Sequence, residues 1–190
     1  MSILQALEKH ITLSKEEGNY FLSLLNTHVL KQGEFIEKAG KITEDFIYVK
    51  SGCLMTYYTN EQAQEHVIQF AMPNWWTGDL NSFTKQVISA YSTRALADSE
   101  VLLIKKKDLD GLLERFPVFE KYFRVIFQNS LITHQNRILQ NIAATAEERY
   151  LDFQKKYPSL EQYVPLKYIA SYLGITPEFL SKIRRRLMER

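Results

Sequence analysis

Between His28 and Lys105 the chain is cut into short apolar runs, and this cutting restricts its fold more than any other feature. The runs are His28 to Gln32, Phe35 to Glu37, Phe46 to Lys50, Cys53 to Thr59, His66 to Ala71, Tyr91 to Ala97 and Val101 to Lys105. Between them lie Gly33, Gly40, Ser51-Gly52, Asn60-Glu61 and Pro73-Asn74. Runs this short, β-rich and punctuated by turn residues predict strands of an antiparallel roll or barrel. After Asp108 the pattern becomes helical and stays so, which predicts an α+β chain. Residues 3–26 also read as helical. Leu4, Leu7, Ile11, Phe21, Leu22, Leu24 and Leu25 are expected on buried faces, and Ser14 with Glu17 forms a capping signature.

A long helix is predicted from Pro117 to about Ile142. Phe119, Phe123, Ile126 or Phe127, Ser130 or Leu131, His134, Ile138 and Ile142 recur on it at spacings of three and four. A seam of this kind needs a partner, either the chain's own roll or a second copy. Thr145-Ala146-Glu147-Glu148 is a capping box that starts a new helix, Ala146 to Lys155, so the break near Ala143-Ala144 is a candidate hinge.

The segment from Leu166 onward predicts two crossed helices. Leu166 to Leu173 has apolar residues at helical spacing, and Gly174 can take the left-handed conformation that ends a helix. Thr176 can cap the next helix, and Pro177 occupies a first-turn position that needs no N–H. Ala170 is small where the helices approach, and Ile169, Leu173, Ile175, Leu180 and Ile183 supply apolar contacts. The remaining face of Pro177 to Met188 carries Glu178, Ser181, Lys182, Arg185 and Arg186. From Leu166 to Arg190 there are six Lys or Arg against two Glu, about +4, whereas the whole chain is +2. Positive charge is therefore concentrated where a phosphate backbone would be met. The plainer alternative is a solvated basic helix end, which leaves the small residue, the glycine turn and the threonine cap unexplained.

Of the 190 residues 45% are apolar, ample for a core. No run is long enough to span a membrane, and the start of the chain lacks the order of a signal peptide, so a soluble cytoplasmic protein without a membrane partner is expected. Cys53 is the only cysteine, which excludes a disulfide framework and a four-thiolate iron-sulfur cluster. His10, His28, His66 and His134 are scattered, and no His-x-His pair suggests a metal centre of the kind cupin-like barrels use. No nucleophile has a neighbouring His and acid, so no catalytic residue, metal or resident cofactor is expected. Trp75-Trp76 reads as a stacking surface for a small ligand or as core and rim packing.

Gly40, Gly52 and Gly78, with Ile47-Tyr48-Val49-Lys50-Ser51-Gly52 before the second, resemble the cyclic-nucleotide-binding β-roll of the Crp/Fnr transcriptional regulators. The resemblance takes in the Phe116-Pro117 start of the long helix and the two-helix tail. It implies an effector-sensing roll over residues 1–115, a dimerisation helix and hinge over 116–144, and a helix-turn-helix of winged-helix type over 145–190. With the chain running to Arg190, the β-hairpin wing is expected to be truncated or missing.

In the family, a cassette that begins Gly-Glu-Leu and ends about eleven residues later in Arg-Ser/Thr holds a cyclic phosphate. Here it begins Gly78-Asp79-Leu80, and an ungapped count puts Ser89 and Ala90 at its end. The guanidinium is missing and Arg94 comes a few residues late, which argues against cyclic AMP as the effector. By the same resemblance Asp79 faces a ribose hydroxyl and His134 and Gln135 touch a base. His134 also reads as an ordinary packed or interface histidine.

The expected function is that of a homodimeric regulator of double-stranded DNA. Its roll senses a small molecule and repositions the reading helices, set roughly 34 Å apart across the two-fold axis. Glu178, Lys182 and Arg185 are candidate base contacts, with Ser181 beside them. Thr176, Lys167, Arg184, Arg186 and Arg190 are candidate phosphate clamps, and Pro177 stands where many family members carry a base-reading Arg. The alternatives are an effector-independent dimeric scaffold that binds DNA or a protein such as RNA polymerase, and a cupin-like metalloenzyme.

Overall fold

Two capping boxes open the chain. Ser2 caps α1 (Ile3–Leu7) with Gln5 bonding back, and Ser14 caps α2 (Lys15–Ser23) with Glu17 bonding back. The helical stretch expected over 3–26 is thus two helices, because Ser14 takes extended backbone and starts a new one. Leu22 is 41% exposed rather than buried, since α2 turns Gly18 and Phe21 inward instead. The computed structural model describes residues 2–162 and 164–189.

Among the described residues eight strands follow: β1 (Asn26–Leu30), β2 (Phe35–Glu37), β3 (Asp45–Ser51), β4 (Leu54–Thr59), β5 (Glu65–Ala71), β6 (Trp76–Thr77), β7 (Tyr91–Ala95) and β8 (Ser99–Lys105). They form two four-stranded sheets with orders β1-β8-β3-β6 and β2-β7-β4-β5. The pairings β1–β8, β2–β7, β3–β6 and β3–β8 are antiparallel. Every strand expected from the sequence is present within two residues at each end. The two-residue β6 and the short helix α3 (Leu80–Lys85) have no sequence signal of their own, since neither is long enough to show a period.

At the centre of the sheets β3 reads Phe46-Ile47-Tyr48-Val49, all four buried because both faces are covered. Ile47 and Val49 join Leu30, Leu54, Ala71, Ala95 and Val101 in one core. Phe46 and Tyr48 belong to a second core with Leu7, Phe21, Ile104, Leu112 and Phe119. Trp76 lies 4.8 Å from Phe46 ring to ring, and its indole N–H donates to the Tyr122 hydroxyl at 2.9 Å. Trp75 packs against the first core. Both tryptophans are therefore packing residues.

The helices that follow are α4 (Lys106–Arg115), α5 (Val118–Ala143), α6 (Ala146–Lys156), α7 (Leu166–Leu173) and α8 (Pro177–Met188), with a 3-10 turn at Leu160–Gln162. The chain divides into two compact units, residues 1–56 with 70–129 and residues 57–69 with 130–190. The division cuts α5 and corrects the single seam expected along it. Phe119, Tyr122 and Phe123 are buried in the first unit, with Ile126 and Phe127 packed against them. Leu131, Ile132, Ile138, Leu139 and Ile142 are 52–80% exposed. The spacing is regular throughout, yet the near half meets its own roll and the far half meets solvent.

In the second unit Thr145 caps α6 with Glu148 in the expected box. Tyr150, Phe153, Tyr157, Leu160 and Val164 are buried with Ile169, Ala170, Leu173, Leu180 and Ile183 from α7 and α8. Phe153, Tyr157 and Tyr172 cluster with ring centres 5.0–5.9 Å apart.

Candidate nucleic-acid interface and effector pocket

Gly174 ends α7 at φ 68°, a left-handed conformation that costs glycine little, and its N–H bonds back to α7. The Thr176 hydroxyl accepts from the Phe179 N–H at 3.2 Å and Pro177 follows at the first helical position. Ala170 is fully buried, so the helix pair closes over a side chain that leaves room for it. The turn thus forms from local chemistry, and burying Leu180 and Ile183 decides which face of α8 turns out.

That face carries Glu178, Ser181, Lys182, Arg185 and Arg186, all exposed, as are Thr176, Pro177 and Lys167. Ser181 donates its hydroxyl hydrogen to the Pro177 carbonyl at 2.9 Å, which leaves its oxygen lone pairs as acceptors. Hydrogen bonds at the helix start hold the Glu178 carboxyl below its usual range, and it is ionised at neutral pH. Arg186 approaches Glu147 at 3.5 Å and keeps most of its side chain in solvent. Arg184 departs from the expected clamp. It is turned inward to Glu161 at 3.8 Å, and its Nε is buried without a partner. The helical period places it beside Ile183 on the packed side. Arg190 lies outside the described residues.

The candidate effector residues fall in both units. Gly78, Asp79, Leu80, Ser89 and Ala90 belong to the first, and His134 and Gln135 to the second. Asp79 is buried, and its Oδ1 accepts from the N–H groups of Asn81 and Ser82, capping α3. A capping carboxylate has less left to offer a ribose hydroxyl. Leu80 and Ala90 are exposed, and Ser89 is buried with its hydroxyl bonded to the Tyr91 backbone. His134 and Gln135 are exposed on α5, so His134 is not a packed core residue. Partial burial, then Arg137 and Lys156, hold the His134 pKa below its ordinary value.

Sequence reasoning missed Glu37. Its Oε2 accepts from the Thr93 hydroxyl at 2.7 Å, and Thr93 continues to Thr56 at 3.0 Å and Thr56 to Thr77 at 3.3 Å. A Cβ placed on Gly78 would lie 3.3 Å from Glu37 Oε1. Burial pushes the Glu37 carboxyl up, the Thr93 bond opposing. No sequence signal marked it: the strand shifts register between Phe35 and Glu37, so Phe35 is exposed while Glu37 turns inward, which a simple alternation does not foretell. Cys53 is fully buried and burial pushes its thiol up to about 12, an unreactive state.

The fold is a roll of two antiparallel sheets followed by helices that end in a capped helix-turn-helix. Comparison with known proteins agrees. Residues 27–116 match the family described as Cyclic nucleotide-binding domain. The chain is similar to "Transcriptional activator protein anr" of Pseudomonas aeruginosa, 25% identical over 171 residues, covering 84% of this chain and 69% of the relative. It is likewise similar to the "Anaerobic regulatory protein" of Pasteurella multocida, 25% identical over 174 residues, covering 84% of this chain and 62% of that protein. The chain thus spans between three fifths and seven tenths of the length of these curated relatives. In fold it resembles FixK2 from Bradyrhizobium japonicum, with TM-score 0.75, 17% identity, and coverage of 87% of this chain and 85% of that one. Over most of its length the chain is thus similar to regulators of the Crp/Fnr family, and residues 27–116 match the cyclic nucleotide-binding domain.

Proposed function

We propose that this chain is a homodimeric, DNA-binding transcriptional regulator, with residues 1–115 as sensor, 116–144 as dimerisation helix and hinge, and 145–190 as reader. The observation that carries it is the outward, cation-bearing face of α8 on a helix-turn-helix whose turn is closed by Gly174 and Thr176. Lys182 and Arg185 donate to guanine and Glu178 accepts from cytosine. Lys167, Arg186 and the first turn of α8 around Thr176 hold phosphates. The relatives' names as transcriptional activator and regulatory protein support this reading.

Dimerisation follows from the far half of α5. Leu131 and Ile138 are seven residues apart, as are Ile132 and Leu139, and all four are exposed at the spacing a two-helix seam requires. Exposed apolar side chains in such an array mark an interface. The effector sensed by the roll is a small molecule other than cyclic AMP. The cassette has no arginine at Ser89, and the Glu37 carboxyl lies beneath Gly78 where a cyclic phosphate would need positive charge.

An electrophoretic shift with genomic fragments tests the proposal. Sequence-selective shifting is expected, and Lys182→Ala combined with Arg185→Ala abolishes it. Undiminished shifting by the double variant would overturn the assignment of α8.

A further inference from the structure

In the second unit, the far half of α5, α6 and the end of α7 enclose a cavity of about 200 Å³ that neither the α8 face nor the roll accounts for. Buried Phe153, Tyr172 and Leu173 form part of its lining, and Arg137, Arg149, Lys156 and Asp152 supply its charge, three cations to one anion. Asp152 is already bonded, accepting from Gln140 Nε2 at 2.8 Å and facing Lys155 Nζ at 3.3 Å.

The guanidinium groups are held by carbonyls. Arg137 donates to the carbonyls of Val67, Ile68 and Tyr172 and lies 4.1 Å from the Tyr172 ring centre, while its Nε is buried with no partner. Arg149 donates to the carbonyls of Leu173 at 3.2 Å and Ala144 at 2.8 Å. Carbonyl oxygens fix the direction of a cation without neutralising it. Two cations fixed by neutral carbonyls beside a polar cavity whose carboxylate is already engaged form a setting that favours an anion.

We propose that this cavity binds a compact oxyanion, phosphate or a short dicarboxylate, between α5, α6 and α7. Its volume is several times the roughly 30 Å³ share of a water molecule and below the roughly 300–1,000 Å³ of pockets that take drug-sized ligands. Asn136 and Lys156 sit exposed at the rim and complete the donor set. Partial burial first, and then the charges of Arg137 and Lys156, lower the pKa of nearby His134. Because Arg149 also holds the Ala144 carbonyl, a bound anion braces the break between α5 and α6. The site stands apart from the reading of α8 and holds or fails without it.

The test is calorimetry on the full chain, without duplex, in chloride-matched buffer, titrating inorganic phosphate and, separately, succinate. Saturable binding at one site per chain in at least one arm is expected, and the arm that responds identifies the source. Lys156→Gln weakens that binding about fivefold or more, and Asn136→Asp, which adds negative charge at the rim, weakens it too. Both positions are exposed, so both variants are expected to fold, and an intact far-ultraviolet helix signal without anion checks it. No saturable binding in either arm, or binding unaltered in both variants, overturns the site. Absent anion binding combined with weaker duplex affinity in Lys156→Gln overturns it in favour of a backbone phosphate of DNA.

Discussion

Gly52 shows how much a single residue decides in this roll. It holds φ 86°, and a Cβ there would meet Ser99 Oγ at 2.1 Å, the Asp98 carbonyl at 2.6 Å and Ser99 Cα at 2.6 Å. Left-handed strain and overpacking each cost roughly 1–3 kcal/mol, so Gly52→Ala is expected to lose about 3 kcal/mol or more in denaturant unfolding. A loss near zero would mean that the strand connection relaxes freely. Glu37 acts through charge. Its folded pKa is raised above the unfolded value, so it binds its proton more tightly when folded. That contribution is complete below the unfolded pKa and is lost as pH rises through the folded one. Glu37→Gln keeps an acceptor for Thr93 and removes the titration. Its Tm is expected to exceed that of the parent at pH 8, with the gap shrinking toward pH 4. A gap that is constant with pH would show that the carboxyl does not titrate in this range.

At the scale of elements, α5 serves two surfaces with one periodic sequence. Its near half is committed to the first core through Phe119, Tyr122 and Phe123, and its far half exposes Leu131, Ile138 and Ile142. A charge in the far half therefore tests association without touching the roll. Ile138→Glu is expected to sediment as a monomer at concentrations where the parent is a dimer, with an intact far-ultraviolet helix signal. A variant that still pairs would place the interface elsewhere. α7 also does more than support α8. The Ser171 hydroxyl donates to the Glu65 carbonyl and accepts from the Val67 N–H, both at 2.9 Å, so one side chain stands in for a strand partner of the hairpin tip. Ser171 and Arg137 tie residues 57–69 into the helical unit, and neither stands out in the sequence because each bonds to backbone, which has no side-chain signature.

Across the whole molecule the charge is nearly balanced at +2 while the tail carries about +4, so attraction to a polyanion is local to that tail. Duplex affinity is expected to fall linearly with salt on logarithmic axes, with a slope of about −0.9 per neutralised phosphate. Lys167→Ala and Arg186→Ala each reduce that slope by about one. Arg184→Ala is expected to leave the slope alone and lower stability instead, because Arg184 faces Glu161 inside the unit. A slope change from Arg184→Ala equal to that from Arg186→Ala would show that it reaches the backbone after all.

What the sequence by itself determined is the part of this protein governed by local chemistry. Strand runs between turn residues, the Ser14 and Thr145 capping boxes, and the Gly174-Ile175-Thr176-Pro177 turn each depend on neighbours within a few positions, and all are present. Tertiary structure alone decided what depends on residues far apart in the chain. It paired Arg184 with Glu161, set Glu37 under Gly78, divided the α5 seam between core and solvent, and grouped Arg137, Arg149 and Lys156 around one cavity. Periodicity marks a side as apolar without naming what covers it, and a charge in sequence carries no record of the partner that folding brings to it.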